Sequence, residues 1–128
     1  MTQDPIPLVV SFLRTQAGIP ADAVTGTLDD RSVGDTTIYV FHSGGFRMVR
    51  DRMDRADILY DVYGKDRESA AALAYQVRAR LLEDMRETVV SGHAILDVTE
   101  TSSPRWNPDQ QSDEPAFTGE VAIFYTAA

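Results

Sequence analysis

The apolar positions of this chain switch between helical and alternating spacing, and the switches mark out its elements. Ile6, Val9, Val10, Leu13 and Ala17 recur at the spacing that places residues on one face of an α-helix. Asp4 precedes them as a cap for the orphan N–H groups, and Pro5 stands at the first helical position, where a missing donor costs nothing. Gly18, followed by Ile19-Pro20, stops the run, so a helix is predicted over Pro5–Ala17. Val24–Leu28 is a short strand candidate, and Thr36–His42, with β-branched and aromatic residues on both faces, is a stronger one. Gly44-Gly45 predicts a turn that ends this strand. From Phe46 to Arg55, Arg and Asp residues surround Phe46, Met48, Val49 and Met53, and the stretch reads as an exposed excursion rather than a core strand. Alternation resumes over Ala56–Tyr63. Asp57, Leu59, Asp61 and Tyr63 lie on one face, Ile58, Tyr60 and Val62 on the other, and Gly64 closes the strand.

A second helix is predicted from Arg67 to about Thr88. Asp66 is its cap, and Ala70, Leu73, Ala74, Val77, Leu81 and Met85 form its apolar stripe. Two strands follow, His93–Glu100 and Thr118–Tyr125, and they are expected to pair as a hairpin. Between them Thr101–Phe117 reads as a loop of about 17 residues, long enough to suggest a function of its own. No internal repeat is visible. The order of elements predicts one α+β domain over 1–128, with a small mixed or antiparallel sheet of about four to five strands and both amphipathic helices packed on one of its faces.

Composition narrows the function. A chain of 128 residues with 43% apolar and 25% charged residues is ordinary globular material. It contains no cysteine, which excludes disulfides, thiolate nucleophiles and Cys-ligated zinc. No apolar run reaches the ~18 residues of a membrane span, and Met1–Pro5 carries neither the basic region nor the apolar core of a signal peptide. Twelve Lys and Arg against 20 Asp and Glu leave a formal charge of −8, which disfavours tight binding to DNA. A soluble acidic domain made inside the cell is expected.

Catalytic constellations are thin. His42 and His93 lack the spacing of a metal-binding pair and read more simply as strand histidines. Asp51, Asp54, Asp57 and Asp61 could bind a divalent cation or serve a small carboxylate-dependent enzyme. The interleaved Arg50, Arg52 and Arg55 point instead to local ion pairing. Ser43-Gly44-Gly45 is not a nucleophile elbow, and there is no phosphate-binding glycine loop. No catalytic residue, metal or cofactor is therefore assigned.

Interface residue types stand out more. Phe46, Met48 and Met53 are apolar side chains in a charged stretch with Arg47, Arg50 and Arg52. Trp106, between Arg105 and Asn107, either anchors a partner or folds back on its own sheet. The acidic Asp109, Asp113 and Glu114 oppose the basic stretch in sign, and the two would suit a head-to-tail contact if placed on opposite sides of the domain.

The chain resembles the tail terminator (minor tail) proteins of long-tailed bacteriophages, particularly those of actinobacteria. The resemblance lies in the opening Asp4–Val10 with Phe12-Leu13-Arg14, the Ser43-Gly44-Gly45 segment, and Asp57–Gly64 running into Ala70–Ala74. Its most specific part is Ser103–Asp109 followed by Phe117–Tyr125. The resemblance implies a non-enzymatic virion subunit, assembled in the host cytoplasm, that forms a hexameric ring on the head-proximal end of the tail. There it stops polymerisation of the tail tube protein and meets the head-completion or neck protein, while DNA passes through without specific binding. A compact chain of this size is roughly 36 Å across, and six in a ring leave a hole about as wide as one subunit. Six copies at −8 carry −48, which would repel phosphates from the bore. The alternatives are another neck component, such as a head–tail joining protein, the carboxylate enzyme above, or an acidic DNA mimic, against which the interleaved arginines argue.

Overall fold

A computed structural model of the protein describes residues 4–29, 31–49 and 53–127. The first helix, α1 (Pro5–Arg14), starts where expected: the Asp4 carboxylate accepts the Ile6 N–H at 3.0 Å, and Pro5 opens the first turn. It stops three residues before Ala17. The N–H groups of Thr15 and Gln16 turn back to the carbonyls of Phe12 and Leu13, both at 3.1 Å, and Gly18 takes φ +82. Arg14 leaves the helix end to donate to the Val24 carbonyl, 2.8 Å from Nη2, and so ties α1 to the short strand β1 (Val24–Thr25).

Strands β2 (Thr37–Val49) and β3 (Met53–Tyr63) form a long antiparallel hairpin, and here the sequence expectation is corrected. Gly44-Gly45 is not a turn. The two glycines, at φ +153 and +132, sit in a bulge where the register slips between His42 and Gly44, and β2 continues beyond it. A Cβ on Gly45 would drive into the carbonyl oxygen of Arg55, so only glycine lets the two strands stay this close. Past the bulge Phe46 faces Arg55 and Arg47 faces Asp54. The excursion is thus the outer half of a hairpin. Of its described residues, Phe46–Met48 are exposed and Met53–Arg55 half-buried, so no buried face marks the strand alternation.

The second helix, α2 (Arg67–Ala79), is capped by Asp66, whose carboxylate accepts the Ser69 N–H at 2.7 Å. It loosens into a π-type turn over Arg80–Asp84 and ends there rather than near Thr88. Glu87 adopts φ +64, and Thr88–Val90 becomes a strand, β4, that returns through Ser91-Gly92 onto β5 (His93–Trp106). Both turn residues have positive φ, as a tight two-residue hairpin requires. Strand β5 runs six residues beyond Glu100, through a bulge between Ser102 and Arg105 that takes Pro104 out of the ladder. With β6 (Ala116–Ala127) it reduces the predicted loop to residues 107–115.

The six strands lie in the order β1-β2-β3-β6-β5-β4, antiparallel except for β1 beside β2. One face, with Ile38, Val40, Ile58, Tyr60, Val62, Val121, Ile123, Ile95 and Val98, packs on Leu8, Val9, Phe12 and Leu13 of α1 and on Ala70, Ala74, Val77, Leu81 and Met85 of the second helical segment. The α+β class and the placement of both helices on one face are as expected, with one or two strands more. The alternation read over Ala56–Tyr63 is also observed, except that Tyr63 is buried as well.

Candidate assembly interface

Register fixes where the two charged segments lie. Asp54 stands opposite Tyr125 and Tyr63 opposite Ala116. The β2–β3 tip and the β5–β6 loop are therefore at opposite ends of the sheet, roughly 30 Å apart at 3.3 Å per residue.

At the tip end, Phe46 and Met48 are exposed, at 58% and 46%, while Met53 is half-buried. The Arg55 guanidinium lies between the rings of Phe46 (5.7 Å) and Phe124 (5.9 Å), and its Nε donates to Asp57 at 3.0 Å. This makes a flat aromatic–cation layer on the sheet face away from the helices. Arg47 is exposed. Arg50 and Arg52 lie outside the described residues, as does Asp51.

At the loop end, Trp106 is neither free nor folded in. Its indole meets the edge of Phe117 at 5.5 Å and carries the Arg67 guanidinium over its ring at 4.7 Å, yet 39% of it remains exposed. Arg67 opens α2, so the helix start and the end of β5 are held together through the tryptophan. Asn107 donates to Thr118 Oγ1 at 2.9 Å, and Arg105 donates to Ser102 Oγ at 3.1 Å.

The acidic run is organised inwards. One Asp109 oxygen accepts the N–H groups of Gln111 and Ser112, at 2.9 and 3.1 Å, and the other accepts the Tyr63 hydroxyl at 3.2 Å. The backbone donors hold its carboxyl below the usual range. Glu114 is only 6% exposed. It receives Arg31 through both Nη atoms, at 2.9 and 2.6 Å, together with the Gly34 N–H at 3.0 Å and the Ser112 hydroxyl at 2.8 Å. The bidentate Arg31 bond draws the Glu114 carboxyl down to about 2 in spite of its burial. Of the three acidic residues expected on this surface, only Asp113 is exposed, at φ +60. The Arg31–Glu114 clasp joins positions 83 residues apart and has no local signal in the sequence.

Asp57 and Asp61 share the face away from the helices. Asp57 pairs with Arg55, and Asp61 accepts the Thr118 hydroxyl at 2.5 Å, its carboxyl raised by burial. Among the described residues no three His, Asp or Glu side chains gather as metal ligands would. His42 Nε2 contacts the Gly44 carbonyl, and His93 is buried with Nδ1 against the Ser91 carbonyl. No described helix is long and apolar enough to cross a membrane.

No family model and no curated protein matches the chain. Among solved structures, a chain from one described as "Virion of native gene transfer agent (GTA) particle" superposes with a TM-score of 0.70. The match covers 94% of this chain and 92% of that one, at 15% sequence identity. The two chains share a fold.

Proposed function

We propose that this protein is a structural subunit of a phage-type virion, and specifically a tail terminator whose ring caps the head-proximal end of the tail tube. The observation that carries the virion role is the whole-length likeness to a chain of a gene transfer agent particle. The sequence resemblance described above supports the finer assignment. The geometry suits a ring subunit because the sheet has two distinct ends. With the strands running along the ring axis, the β2–β3 tip and the β5–β6 loop project from opposite faces of the ring. One end would meet the tube protein and the other the head-completion protein, and the sheet edges would be left for neighbouring copies. The reading assigns the chain no catalytic residue and no cofactor.

Two measurements test it. Light scattering of the purified protein should find a closed species near six times 14.2 kDa. Particles assembled without the protein should carry tails of uncontrolled length that fail to join heads in electron micrographs. Tails of normal length, joined to heads, in its absence would overturn the assignment.

A further inference from the structure

Building on the ring reading, we infer that neighbouring copies join edge to edge, the outer side of β2 in one copy lying along the outer side of β5 in the next. Among the described residues β1 covers β2 only at Ile38 and Tyr39, and β4 covers β5 only at His93–Ile95. Among the described residues, Val40–Phe46 and Leu96–Ser103 have no strand partner on the outer side, which leaves backbone donors and acceptors able to template another strand.

The two open stretches match in level. Across the sheet Phe46 aligns with Arg55, Phe124 and Asp97, and Tyr39 aligns with Asp61, Thr118 and Arg105. A copy placed alongside without stagger therefore sets open β2 against open β5. The sense also matches. The strands β2, β3, β6 and β5 alternate in direction, so β2 and β5 run oppositely, and a neighbour in the same orientation continues the antiparallel alternation. Heterologous contacts of this kind close into rings when the rotation permits.

The side chains agree with the backbone. Exposed apolar groups stand at one level on both edges: Phe46 on β2, and Leu96, 45% exposed and next to Asp97, on β5. A Cβ at Gly44 would meet nothing within 4 Å, which leaves room there for an approaching backbone. Val40–Phe46 contains neither Lys nor Pro, and the bulges at His42/Gly44 and Ser102/Arg105, with Pro104, limit the pairing to the stretches between them.

The absence of cysteine makes a direct test possible. Within one copy the two edges are three inter-strand spacings apart, roughly 14 Å, too far for a disulfide. Oxidised Phe46→Cys/Leu96→Cys protein should therefore give a ladder of covalent multimers on a non-reducing gel, ending at the ring size. Each single variant should stop at dimers. Leu96→Asp, a change at an exposed site, should lower the association constant at least tenfold while the monomer keeps its circular dichroism. If the wild type forms rings but the double variant gives no ladder and Leu96→Asp assembles normally, the edge contact is wrong and the ring reading stands. If the wild type is monomeric at every concentration and tails form normally without it, the ring reading fails and the edge contact fails with it.

Discussion

Replacing Glu114 by Gln should unfasten the loop between β5 and β6, and the size of the effect follows from the clasp. The carboxylate is held at about 2 against an ordinary 4.5. If the unfolded chain titrates normally, that difference is worth roughly 3 kcal/mol of stability at neutral pH. Gln preserves the shape but leaves the Arg31 guanidinium, itself mostly buried, without a counter-charge. Because the folded value is the lower one, the contribution is complete above about pH 5 and disappears as pH falls toward 2. The same linkage leaves about 1.5 kcal/mol at pH 3 and under about 0.5 kcal/mol at pH 2. Paired denaturant titrations of wild type and Glu114→Gln at several pH values read this difference directly, since acid effects at other sites cancel between the two proteins. A difference below about 1 kcal/mol at pH 7, or one that stays flat with pH, would refute the assignment of the clasp. Trp106, the chain's one tryptophan, provides an independent signal, because its fluorescence should shift when the adjoining loop loosens.

Trp106→Ala should cost the monomer about 2–4 kcal/mol, from the buried part of the indole with its Phe117 edge contact and Arg67 stack, while weakening ring stability or partner binding. Sedimentation alongside thermal melts separates the two effects, and normal rings and normal tail joining would remove Trp106 from the interface. Gly45→Ala should destabilise by about 1–3 kcal/mol and more than Gly44→Ala, because both glycines have positive φ but only Gly45 faces a clash with Arg55. Equal losses in urea titrations would contradict the bulge geometry. Tyr60→Phe should stay within about 0.5 kcal/mol of wild type or gain stability, since the buried Tyr60 hydroxyl has no hydrogen-bond partner among the described residues. A loss above about 2 kcal/mol in the same assay would show that the hydroxyl is satisfied after all.

Much of the core was legible because its residues recur at the spacing of their element. The apolar stripe from Ala70 on α2 through the π-type turn to Met85 and the Ile58-Tyr60-Val62 alternation need no partner to be recognised. Local chemistry also marked the starts of both helices, where Asp4 and Asp66 cap. What escaped depends on the neighbour across the sheet. The outer half of the hairpin has no buried face, so Phe46–Val49 shows no clean period. Gly44-Gly45 resembles a turn until the partner strand accounts for the bulge. Strand β4 escapes the sequence because Thr88–Val90 is only three residues long and its first residue closes the predicted helix, although Ser91-Gly92 is a tight-turn signal that exposes it. At the candidate interface, residue type identified Phe46, Met48 and Trp106 as unusual. Burial of Glu114 could not be seen, because Arg31 meets it only through the fold.

The position of β6 bears on how the protein is made. It comes after the other described elements, yet it lies between β3 and β5 and brings Val121, Ile123 and Tyr125 into the core. A nascent chain still on the ribosome can form the β2–β3 hairpin and the helices, but β3 and β5 have no ladder between them until β6 emerges. Most of the long-range pairing is therefore deferred until β6 has been made, which makes folding of these strands cooperative. Chains cut short before β6 lack the central strand and should be cleared by proteases instead of entering an assembly.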